Sequence, residues 1–82
     1  MHYELFTRVS LRKDIPEKQL RKGDVATIVE HHPSQAEEAG YSLEVFNALG
    51  ETITVVVVPA SAIEPLHTNE VLHVRQLESS RI

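Results

Sequence analysis

The chain has 82 residues, 41% of them apolar and 24% charged, the size and composition of one small globular domain. It has no cysteine, which excludes a disulfide framework and a thiolate metal site, and no apolar run near the ~20 residues that span a bilayer as a helix. The net charge of −4 is uneven: residues 1–23 hold six of the eight basic residues against three acids, and the remainder holds nine acids against two bases, which excludes the broad basic surface of a nonspecific nucleic-acid binder.

Met1–Ser10 lacks the basic-then-apolar order of a signal peptide, and the expected location is the cytoplasm. Phe6–Ile15 places Val9 and Leu11 two apart, with Arg8, Ser10 and Arg12 between; that alternation predicts a half-buried strand. Asp14–Gly23 reads as a long loop with one helical turn after Pro16, pinned to the core by Ile15 and Leu20. Asp24–His32 is β-branched and bounded by turn residues, and predicts a second strand. Val25 and Ile28 are three apart, so a bulge near Ala26 is expected to bring both inside. Pro33–Gly40 is a polar connection with a helical turn at Gln35–Glu38. Tyr41, Leu43 and Val45 alternate with Ser42 and Glu44, which predicts a third strand. Asn47–Gly50 is a hairpin turn, with Gly50 suited to positive φ. Glu51–Val58 returns as the fourth strand, and Pro59–Leu66 holds a tight 3₁₀ turn before a short fifth. Glu70–Leu77 carries valines that favour strand over helix.

Five short strands with a long first loop, a hairpin and a tight turn before the last predict a mainly β fold: a small SH3-like five-stranded barrel. The barrel is expected over residues 1–66, with a C-terminal extension over 67–82. Three blocks in order, "LRKDIPEKQLRKGDVATIVE", "YSLEVFNALGET" and "VVPASAIEPL", resemble the bacterial family catalogued as domain of unknown function 4926. The resemblance covers about residues 5–66, and more loosely the "EVLHVRQL" tail, and implies a small β-barrel with no assigned activity. Gly-Asp before a β-branched strand is also similar to the turn of SH3-like and KOW-type barrels, some of which bind nucleic acid or ribosomes. This chain departs from that turn at Ala26, where such barrels carry a second glycine.

Gly23 and Asp24 do not form a phosphate cradle, which needs several glycines and then a lysine and a hydroxyl residue opening a helix. Their expected role is structural, as is that of Gly50: Gly23 turns the chain and Asp24 bonds the turn backbone. His31 and His32, near Glu30, Glu37 and Glu38, point to opposite sides of a strand and do not converge on one ion. They are expected to be solvated. The serines show no nucleophile-elbow pattern. No catalytic, metal or cofactor residue is therefore expected.

The expected function is a non-catalytic protein-interaction module with an unidentified protein partner, a homodimer being one form of it. The candidate surface is Phe46, Leu49, Val56 and Val58, apolar residues read as lying off the core face, with the basic loop residues Lys13, Lys18, Arg21 and Lys22. Val71, Leu72, Val74 and Leu77 are expected to cover Val56 and Val58, in the same chain or exchanged in a homodimer. The alternative is an RNA- or ribosome-associated barrel using Arg8 to Lys22. The acidic total and an aromatic content of 5% stand against it.

Overall fold

A computed structural model describes residues 3–33 and 38–77. The chain is mainly β, with five antiparallel strands: β1 (Arg8–Leu11), β2 (Val25–His32), β3 (Gly40–Phe46), β4 (Thr52–Pro59) and β5 (Ile63–Pro65). They form one sheet in the order β4-β3-β2-β1-β5. Two 3₁₀ turns, Pro16–Lys18 and Ala60–Ala62, interrupt the β1–β2 and β4–β5 connections. β4 and β5 are the two edges of the sheet, and no ladder joins them among the described residues; the expected barrel is an unclosed sheet. No helix among the described residues is long and apolar enough to cross a membrane.

The core lies on one face of this sheet. Val9 and Leu11 of β1, Ala26 and Ile28 of β2, Tyr41, Leu43 and Val45 of β3, and Val58 of β4 are buried there. Leu20, Ala62 and Ile63 close it from the loops and β5. Each fully buried aliphatic side chain contributes roughly 1.5–3 kcal/mol relative to exposure. Tyr41 satisfies its buried hydroxyl by accepting the Tyr3 amide at 3.1 Å, and the two rings meet edge to face.

Two register slips shape the sheet. β1 and β2 pair regularly, with Val9 opposite Ala26 and Ser10 opposite Val25. The bulge expected near Ala26 is therefore absent there; Ala26 and Ile28 face the core and Val25 is half-buried. The slip falls between Ile28 and Glu30, making Val29 the extra residue. The second slip lies between Val45, opposite Thr54, and Phe46, opposite Thr52, making Ile53 the extra residue of β4.

The β1–β2 loop is tied at its neck. Ile15 and Leu20 exchange backbone hydrogen bonds at 2.9 and 3.1 Å around the 3₁₀ turn, and Leu20 packs into the core. The helical turn expected at Gln35–Glu38 falls mostly outside the described residues. The expected strand at Glu70–Leu77 is absent: residues 71–77 form neither strand nor helix.

Candidate interaction surface

β4 is an edge strand, and its two faces have different fates. Val58 lies opposite Tyr41 and Val56 opposite Leu43, so both point to the core: Val58 is buried and Val56 packs half-buried against it. They are not exposed partner-surface residues, and among the described residues no apolar side chain of the C-terminal segment joins the core cluster that holds Val58. Val55 lies opposite Glu44 and Val57 opposite Ser42, and these two stand on the outer face, 51% and 62% exposed.

The cause of this inversion is the extra residue Ile53. An unbulged hairpin that pairs Phe46 with Thr52 would oppose Val45 to Ile53, Leu43 to Val55 and Tyr41 to Val57. One inserted residue flips every later side chain of β4 to the other face. The alternation read from the sequence holds along the strand, but its inward set is Val56 and Val58.

Phe46 and Leu49 extend the exposed face toward the hairpin, at 41% and 83% exposure. The hairpin that carries Leu49 is built by Asn47, whose Oδ1 accepts the Leu49 and Glu51 amides, both at 2.9 Å. Gly50 adopts φ +85° and donates its amide to the Asn47 carbonyl. The β3–β4 hairpin thus exposes Leu49, Phe46, Ile53, Val55 and Val57. Its polar neighbours are Glu44, hydrogen-bonded by the Thr52 hydroxyl, and Ser42, whose Oγ lies 2.7 Å from His32 Nε2. Several exposed apolar residues on one hairpin mark an interaction site more often than scattered single residues do.

Beside the free edge of β4 runs an open groove of about 250 Å³. Val56 to Pro59 form one wall, and Lys13, Asp14, Ile15 and Glu17 of the β1–β2 loop form the other. A second open cleft, about 520 Å³, lies between Tyr3, Arg12, Ser61 and Glu38. In it the Glu38 carboxylate accepts both the amide and the hydroxyl of Ser61, so its acid is engaged in fixing the turn before β5.

Lys13, Lys18, Arg21 and Lys22 are exposed on the β1–β2 loop, and acids hold that loop in place. Asp14 Oδ1 accepts the Lys22 amide at 2.8 Å, and Asp24 Oδ2 accepts the Arg21 amide at 2.7 Å. Gly23 adopts φ +95° between them and donates to the Leu11 carbonyl. Asp24 also receives the Arg75 guanidinium on both carboxylate oxygens, and Arg75 donates to the Gln19 carbonyl at 3.1 Å. This hydrogen-bonded ion pair raises the Arg75 pKa above its ordinary value, against the opposing effect of burial. The clamp fastens the C-terminal segment to the loop and leaves Val71, Leu72 and Val74 exposed.

The histidines are half-buried where solvation was expected. His31 stacks on Tyr41 at 5.1 Å on the core side, while His32 reaches Ser42 on the outer face. Glu30 Oε1 lies 3.8 Å from the same His32 nitrogen that meets Ser42. A nucleophile triad requires the acid on the opposite ring nitrogen, so this row is a cross-strand polar contact. No group of three or more histidines and acids among the described residues could hold a metal ion.

Sequence reasoning missed Val55 and Val57 as surface residues and Arg75 as a clamp. The pairing of β3 with β4 is the signal that would have found the first two, and it turns on one bulge. Arg75 is 51 positions from Asp24 and carries no local signature. Compared with known proteins, residues 5–65 match the family model described as "Domain of unknown function (DUF4926)". The chain matches no curated protein and no solved structure.

Proposed function

The chain belongs to the DUF4926 family, and we propose that it is a non-catalytic module that docks a protein partner on β4. The observation that carries this reading is the exposed apolar row of Ile53, Val55 and Val57 on an unpaired edge strand. An edge offers backbone donors and acceptors to an added strand, and the alternate side chains supply selectivity. The strand order and the 3₁₀ turn before β5 support an SH3-like reading of the sheet. The nucleic-acid alternative is less well supported. Asp14, Glu17 and Asp24 interleave with the cations of the β1–β2 loop, which weakens any track for phosphates.

The test places a photo-crosslinking residue at position 57, and in a separate protein at position 18 in the basic loop. Irradiation in cells is expected to give a discrete protein adduct from position 57 and none from position 18. Adducts from position 18 alone, or from neither, would contradict docking on β4.

A further inference from the structure

Resting on that docking reading, we propose that the partner is a second copy of this chain, paired antiparallel through β4 about a two-fold axis at Val56. Edge strands in monomers are usually blunted by charge, proline, a bulge or great shortness. β5 is blunted: it has three residues and ends at Pro65. β4 has eight residues, and its run Thr54–Val58 holds no charge, no proline and no bulge. A bulge at Ile53 and Pro59 bound this run, and between them β4 offers the longer unblunted stretch of edge.

The strand is complementary to itself. An axis at Val56 sets Val55 opposite the partner's Val57 and Thr54 opposite the partner's Val58. Every pair is β-branched and uncharged, which suits cross-strand packing and brings no like charges together. An acidic or basic strand would find no counter-charge along this run; an identical strand needs none.

Charge complementarity appears at the ends. Glu51 precedes β4, and the antiparallel arrangement carries each Glu51 toward the partner's Pro59 end. Lys13 stands there, on the groove wall beside Val56 to Pro59. Lys13 forms no ion pair among the described residues. The same wall carries Glu17 and Asp14, the latter holding the Lys22 amide. Five ladder positions span about 17 Å, a contact one strand wide and too narrow to bury the ~1,000 Å² that a stable interface clears. The pair is therefore expected to dissociate on dilution.

The experiment measures the mass of the full chain by sedimentation across a dilution series. The expected result is a mass rising toward twice the 9.2 kDa of the monomer. Val55→Lys with Val57→Lys places lysines opposite lysines and is expected to abolish the dimer; both sites are more than half exposed, and an unchanged thermal melt confirms folding. Lys13→Glu or Glu51→Lys alone is expected to weaken the dimer about two- to tenfold, and the two together to restore it. A dimer indifferent to the paired lysines overturns the proposal. Loss of the dimer with the lysines, but no rescue by the charge exchange, overturns the register at Val56. A chain that is monomeric throughout yet still crosslinks another protein from position 57 overturns the second copy and leaves docking on β4 standing. A monomer with no adduct at all overturns both.

Discussion

Gly23 sits at φ +95° with open space where a Cβ would project. A side chain there meets no neighbour, so any cost of substitution is the backbone's own. Gly23→Val is expected to lose about 1–3 kcal/mol, a large share of the stability of so small a domain. Urea unfolding of both proteins measures it, and an unchanged midpoint would refute the strained-turn account. Next to it, Asp24 serves two partners, the Arg21 amide and the Arg75 guanidinium. A double-mutant cycle of Asp24→Ala and Arg75→Ala is expected to show a coupling of about 1 kcal/mol. Additive losses would mean that the clamp contributes nothing. The turn was legible because glycine followed by aspartate has local physics. The clamp was not, because Arg75 meets an acid 51 positions away and nothing near it in the chain marks that pairing.

At the level of elements, the β1–β2 loop separates its anchors from its surface. Leu20 is 2% exposed and closes the loop neck with Ile15. Leu20→Ala is expected to cost about 2–5 kcal/mol through lost packing and the cavity left behind. Lys18→Gln and Lys22→Gln, two residues away on either side and exposed, are expected to change stability by less than about 0.5 kcal/mol each. Chemical denaturation of the three variants checks the contrast; comparable losses would show that the lysines are partnered. Both anchors and both 3₁₀ turns could be read from the chain, since proline and isolated apolar residues fix them locally. The face of β4 could not. Four consecutive valines fit either side of a sheet, and the choice was made by Ile53, whose slip depends on the hairpin closing against β3.

For the whole molecule, the five strands of the sheet and the β3–β4 hairpin followed from β-branched runs and turn residues, and the core face of β3 from period-2 alternation. The position of the C-terminal segment did not, because Val71, Leu72 and Val74 resemble a strand by composition and remain exposed and unpaired in the fold. The molecule that results has one packed face, one blunted edge at β5 and one apolar, unblunted edge at β4. The central claim is that β4 divides its residues between fold and partner. A lysine scan of Val55, Val56, Val57 and Val58 tests it, reading thermal stability and partner adduct for each variant. Lysine at buried Val58 places a charge among apolar groups and is expected to cost about 3 kcal/mol or more, on the order of 10 °C or more in melting temperature; at half-buried Val56, on the groove wall, it loses core packing and is expected to cost about 1–3 kcal/mol. Lysine at Val55 or Val57 is expected to leave the melt within about 4 °C and to remove the partner. Alternation of the two losses along four neighbouring residues is the predicted result; equal stability losses at all four, or destabilisation at Val55 and Val57 instead, would contradict the account.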